Sequence, residues 1–203
     1  MILKKPDKTL MKVRERVKKR PYNVFPKQEY VFRPFFYFNE ENCKVIIVGQ
    51  DPYPTAGHAT GIAFGTNSNS IPRSLRHIKQ AVENDVGKMT SDPTLLPWVK
   101  QGVCLMNSAL TVEEGRPNSH RNLWLDFTYD NLERWSRVLK NVVFVFWGSS
   151  AKAFKLAVRY GAEKNGHLIL DAEHPVNNSF PKCTHFSQIN KFLIEHNKKP
   201  IIW

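Results

Sequence analysis

The sequence predicts an α/β fold, a three-layer α/β/α sandwich around a central four-stranded, mainly parallel sheet. Three observations carry that expectation. Four short runs are hydrophobic with no polar face, as strands covered on both sides must be. Amphipathic helical stretches alternate with those runs, a pattern that favours parallel pairing through crossover connections. Each run also ends in a turn that carries a chemically useful side chain.

The elements follow in order. In residues 4–20, Leu10, Val13 and Val17 recur at helical spacing, so part of this arm is expected to be helical. Pro21, Pro26 and Pro34 then punctuate an irregular, aromatic-rich lead-in, expected to pack Phe25, Phe32, Phe35 and Phe36 onto the core. The first strand is residues 44–48. A helix is expected from Arg73 toward Glu83, with Leu75, Ile78 and Val82 on one face. The second strand is residues 103–106. Trp124, Phe127, Leu132, Trp135, Val138 and Leu139 then form a helical stripe within residues 119–140. The third strand, residues 142–147, is the most hydrophobic run in the chain and leads into a helix over 151–159. The fourth strand is residues 167–170, and a last helix covers 185–196. No repeat or low-complexity linker divides the chain, so residues 1–20 read as a basic arm and 21–203 as a single domain.

Composition narrows the function. The 203 residues carry a net charge of +12, and nine Lys and Arg against two acidic residues give the first twenty residues +7. The remaining body is therefore only mildly basic. A polyanion such as DNA or RNA is the natural partner. No apolar run is long enough to cross a bilayer, and no secretory h-region opens the chain. An intracellular protein is expected, in the cytoplasm of a bacterium or infected host cell or in a nucleus. Cys43, Cys104 and Cys183 lack paired spacing, so free thiols are expected and a metal site is not.

In a parallel sheet the C-terminal strand ends share one edge, where open α/β folds bind ligands. That edge would carry Asp51 and Tyr53, Asn107, Ser149 and His174, one group or pair per strand. A phosphate loop of the form GxxxxGK[ST] is absent, and Asp51 puts a negative charge where a nucleotide phosphate needs amides. The nucleophile pattern GxSxG is absent too, since Gly148-Ser149-Ser150 lacks its second glycine.

Residues 49–65, GQDPYPTAGHATGIAFG, resemble the water-activating motif of the family 1 uracil-DNA glycosylases, usually written GQDPYH. The similarity continues through 102–112, Asn118-Ser119-His120, Phe146-Trp147-Gly148-Ser149, His174-Pro175, His185-Phe186-Ser187 and 199–203, in the family's order. It implies hydrolysis of the bond between uracil and deoxyribose, as in base excision repair, with no metal or organic cofactor. Asp51 would stabilise the sugar cation and orient the attacking water, and His174 would donate a hydrogen bond to uracil O2 as a neutral imidazole. Asn107 would match N3–H and O4 of uracil, Tyr53 would exclude the thymine methyl, Phe64 would stack on the base and the Gln50 backbone would bind O2. The target base must be flipped out of the stack, with Ser74 and Ser149 gripping phosphates.

Three departures from the family stand out. Pro54 replaces the motif's histidine. The loop after His174 is about four residues short, lacks the family's wedge leucine and has Val176 where a serine is usual. Phe180 is the expected replacement wedge, and Ser179 the expected replacement phosphate contact. The basic arm is the third departure, expected to hold DNA by salt-sensitive contacts. Uracil-containing DNA, single- or double-stranded, is the implied partner of a monomeric, non-membrane protein, with a DNA-mimic inhibitor or replication protein as further partners. Two other classes stay open: an idle DNA-binding replication accessory module on the same scaffold, and a doubly wound binder of small anions.

Overall fold

The computed structural model describes residues 11–13, 15 and 22–203. Most of the expected helical arm lies outside the described residues; its described part, 11–13 and 15, is helical. In chain order the elements are β1 (Val24–Phe25), α1 (Arg33–Phe36), β2 (Val45–Gly49), α2 (Arg73–Val86), α3 (Leu96–Val99) and β3 (Val103–Asn107). They continue with β4 (Val112–Glu113), α4 (Arg121–Val138), β5 (Val143–Trp147), α5 (Ser149–Lys152), α6 (Lys155–Asn165), β6 (Leu168–Ala172) and α7 (His185–Glu195).

The four hydrophobic runs form one sheet in the order β3-β2-β5-β6, parallel at every pairing. Strand periodicity sorts their side chains between two cores. Val45, Ile47, Val103, Leu105, Val143, Val145 and Trp147 meet α2, α3, α7 and the C-terminal Trp203 on one face. Ile46, Val48, Cys104, Met106, Phe144 and Phe146 meet α1, α4 and α6 on the other. Val45 through Val48 are all 0% exposed, and each such side chain contributes about 1.5–3 kcal/mol of burial energy. The layered architecture is the one the sequence predicts.

Three details differ. The helix expected over 151–159 is two helices, because Ala153-Phe154 tightens the chain: Phe154 N–H bonds Ala151 O at 3.0 Å and Ala157 N–H bonds Phe154 O at 3.0 Å. That i→i+3 turn sends Phe154 into the core. Phe36 is 72% exposed rather than packed. The single turn of α1 aligns Phe35 with Phe32, and the next inward position falls to Phe38, whose ring lies 4.8 Å from that of Trp135. The sequence also gives no sign of the two-residue antiparallel pair β1–β4.

Candidate active site

The C-terminal edge of the sheet is where the strands hand over to the predicted site. β2 ends at Gly49, in register with Asn107 at the end of β3. A Cβ on Gly49 would lie 2.7 Å from Asn107 Oδ1 and 2.9 Å from Phe64 Cζ, so only glycine lets both side chains close over this strand end. Gly148, just past β5, plays the same part for His174, whose Cβ and Cδ2 would be 3.0 Å from an added Cβ. Phe64 itself has a φ of 64°, a conformation that a bulky residue holds only when its surroundings over-determine it. Together Asp51, Tyr53, Phe64, Asn107, His174 and Val176 line one cavity of ≈ 350 Å³.

Both oxygens of Asp51 are held. Gln50 Nε2 donates to Oδ1 at 2.9 Å and the Asn118 backbone N–H donates to Oδ2 at 2.6 Å. Gln50 is steadied in turn by Ser150, whose Oγ donates to its Oε1 at 3.3 Å. The Gln50 carbonyl accepts from Ser108 Oγ at 2.7 Å and from Ala109 N–H at 3.0 Å. Those bonds tie the loop bearing Asp51 to the segment bearing Asn107. Burial pushes the Asp51 carboxyl above its ordinary range, against the pull of the Asn118 and Gln50 bonds. Pro54 lines the cavity, and its carbonyl accepts from Gly115 N–H at 2.8 Å.

Tyr53 stands as a fixed wall. Its hydroxyl donates to Phe64 O at 2.9 Å, so the Ser74 hydroxyl, 3.0 Å away, donates to it. Burial pushes the Tyr53 phenol up to about 12. Asn107 is 5% exposed, lines the cavity, and among the described residues its side-chain amide has no hydrogen-bond partner. That amide opens onto the cavity, with an acceptor oxygen and a donor nitrogen to offer a ligand. His174 Nδ1 accepts the Val176 backbone N–H at 3.1 Å. The ring proton of the neutral imidazole therefore sits on Nε2, and burial lowers the His174 pKa, which keeps the ring neutral.

The remaining expected residues divide. Ser149 and Ser179 are exposed, while Ser74 is only 7% exposed and occupied with Tyr53. Phe180 does not suit the wedge. It is 2% exposed and packs edge-on against Trp147 at 5.0 Å, because the short 3-10 turn Phe180–Lys182 folds its side chain under the loop. In this loop the exposed apolar side chain that lines the cavity is Val176, 42% exposed. The short loop around it is braced by α2. His77 Nδ1 lies 2.8 Å from Pro175 O and 3.0 Å from Asn177 O, and Arg73 donates to Asn178 Oδ1 at 2.6 Å. Sequence reasoning named Val176, Ser150 and Asn118 without these roles; a backbone donor such as the Asn118 N–H leaves no residue signature. Among the described residues no group of three His, Cys, Asp or Glu could hold a metal ion, and no helix is long and apolar enough to cross a membrane.

Residues 35–194 match the model of the uracil DNA glycosylase superfamily. A uracil-DNA glycosylase of Aliarcobacter butzleri (strain RM4018) is 40% identical over 202 residues, spanning 95% of this chain and 92% of that protein. One from Borrelia turicatae (strain 91E135) is 39% identical over 193 residues, spanning 92% of this chain and 85% of its own. The crystal structure of mimivirus uracil-DNA glycosylase superposes with a TM-score of 0.85 at 27% identity, covering 97% of this chain and 80% of that one. A mimivirus UNG variant solved in complex with UGI gives the same TM-score of 0.85 at 27% identity, covering 97% of this chain and 82% of that one.

Proposed function

The chain belongs to the uracil-DNA glycosylase superfamily, and from that premise we propose how its residues excise uracil from DNA. It is a DNA glycosylase, a hydrolase of base excision repair, and the relatives' names support this over an idle DNA-binding module. The observation that carries the residue assignment is the Asn107 amide, without a hydrogen bond among the described residues, facing the same cavity as Asp51 and His174.

Breaking the N-glycosidic bond builds positive charge on the sugar and negative charge on the departing base. Asp51, held by two donors and ionised, faces the first charge and orients the attacking water. His174, neutral with its proton on Nε2, donates to O2 of the base as it becomes anionic, and removing one such partner costs on the order of 100-fold in rate. The Asn107 amide offers an acceptor for N3–H and a donor for O4; cytosine presents the reverse pair and would leave both unpaired. Tyr53 meets the C5 position and excludes a methyl, Phe64 stacks on the ring, and the Gln50 backbone assists at O2.

Flipping the nucleotide costs a few kcal/mol. We assign the apolar wedge to Val176 in place of Phe180, and phosphate contacts to the exposed Ser149 and Ser179, with Ser74 acting through Tyr53. We assign the basic residues 1–20 a sequence-independent attraction to DNA, beside a single catalytic domain over 21–203. DNA as substrate supports an intracellular site of action for a monomer. The complex of a mimivirus UNG variant with UGI supports an inhibitor protein as a further partner.

The test is uracil release from single- and double-stranded oligonucleotides, alongside Asp51→Asn. Release by the natural chain and binding without turnover by the variant are expected. No release from either substrate would sink the reading, and full activity of Asp51→Asn would remove Asp51 from the mechanism.

A further inference from the structure

The chemistry assigned above uses neither Glu113 nor His120, yet they are 2% and 0% exposed. Burying a carboxylate beside an imidazole is costly unless both are well partnered. The Arg116 guanidinium lies 2.8 Å from Glu113 Oε2, and His120 Nε2 lies 3.8 Å from Oε1. On the other side of the ring, Nδ1 is 2.8 Å from Thr111 Oγ1, which already accepts the Trp124 indole N–H at 2.7 Å. The other ring nitrogen, Nε2, faces Glu113 and the Tyr22 hydroxyl 3.3 Å away.

This network closes a loop that reaches Asp51. The Glu113 backbone N–H donates to Ser119 Oγ at 2.8 Å, and Arg116 N–H donates back to Glu113 O at 3.1 Å. Between them Asn118, with a φ of 63°, directs its N–H to Asp51 Oδ2 at 2.6 Å. Gly115 N–H bonds Pro54 O at 2.8 Å, so the loop is stitched to both ends of the 51–54 turn. Its outer side is held by β1, with Val24 opposite Glu113, and by Glu114 N–H on Asn23 O at 2.9 Å.

We infer that Glu113 and Ser119 are positioning residues for the glycosylase reaction: they hold the 113–119 loop so that the Asn118 N–H keeps the Asp51 carboxylate aimed at the sugar. The inference rests on Asp51 being the water-side group. Asn118 adopts its left-handed backbone readily, and the Ser119 hydroxyl next to it fixes the loop by accepting the Glu113 N–H at 2.8 Å. A displacement of order 1 Å in such a group costs about 100-fold in rate. The bond has a second consequence. It favours the ionised form of Asp51, so loosening it raises the pH at which Asp51 takes up a proton. A residue that merely packs the loop has no such signature.

The test uses the full chain with Ser119→Ala, Ser119→Thr and Glu113→Gln, assayed for uracil release from a single-stranded oligonucleotide across pH. Ser119→Ala is expected to lower kcat about 10- to 100-fold with KM changed less than about twofold, and to move the acid limb of the rate profile to higher pH. Ser119→Thr, which keeps the hydroxyl, should recover most of kcat, and Glu113→Gln should shift the acid limb in the same direction. If Glu113→Gln fails to fold, the two Ser119 variants decide. Unchanged kcat in Ser119→Ala, or lost kcat with the acid limb in place, overturns the inference. Asp51→Asn in parallel separates the cases: an active Asp51→Asn defeats the mechanism itself, whereas an inactive one beside a normal Ser119→Ala defeats only the positioning role.

Discussion

Gly49→Ala tests whether Asn107 and Phe64 form the seat of the base. The added methyl would stand 2.7 Å from Asn107 Oδ1, 2.9 Å from Phe64 Cζ and 3.1 Å from Phe64 Cε2. Ordinary contact distances for these atom pairs exceed 3.4 Å, so both side chains must retreat by about half an ångström or more. The backbone offers no resistance of its own, because Gly49 is a strand residue without a positive φ. The change therefore costs about 1–3 kcal/mol of overpacking, small enough to leave the chain folded. Its effect on recognition is larger, since the amide and the stacking ring move together away from the base. We expect kcat/KM for uracil release to fall about 10- to 100-fold, measured on a fluorescent single-stranded oligonucleotide with melting temperature recorded alongside. Gly57→Ala is the control. It has nothing within 4 Å and a φ of +79°, so it should cost about 1 kcal/mol of strain and leave turnover unchanged. Wild-type kcat/KM in Gly49→Ala would refute the seat.

Tyr53→Ala should admit thymine, read as thymine release from a T-containing oligonucleotide; continued rejection would show that the wall lies elsewhere. Phe180→Ala should lower stability by about 3–5 kcal/mol and slow release from duplex and single strands alike. Val176→Ala should slow duplex release more than single-strand release, because only a duplex has a stack to part; equal effects on both would remove Val176 as the wedge. The pH profile for kcat/KM should rise at a pH above the ordinary aspartate range, because burial raises the Asp51 pKa and activity needs its ionised form. His174 works against that limb only weakly: its pKa is lowered, so the neutral donor persists below the usual histidine range. An acid limb at or below the ordinary aspartate value would contradict this account of Asp51.

Much of this was legible in the sequence because it is local or periodic. The β-branched run before Gly49 reads as a covered strand, and the parallel sheet then puts Asp51, Asn107 and His174 on one edge. What stayed hidden depends on distant backbone. The Asn118 N–H reaches Asp51 across 67 positions, and no side chain announces it. The β1–β4 pair is two residues long, too short for any periodicity.

Phe180 shows the other limit. An aromatic residue beside an exposed serine in a DNA-facing loop is a sound sequence candidate for a wedge, yet side-chain type does not decide direction. Shortening the loop brings its end directly into the Phe180–Lys182 turn, and the ring falls between the loop and Trp147. Anchored there, the loop is tied to α2 through His77 and Arg73. A rigid loop spends little ordering entropy when DNA arrives. If Val176 is the wedge, as proposed above, it fills less of the gap than a leucine would, and a braced loop would offset part of that loss. His77→Ala distinguishes the two contributions. It leaves Val176 in place and removes both carbonyl contacts, so if preorganisation matters, duplex release should fall several-fold while single-strand release changes little. Unchanged duplex release in His77→Ala would show that the loop needs no bracing from α2.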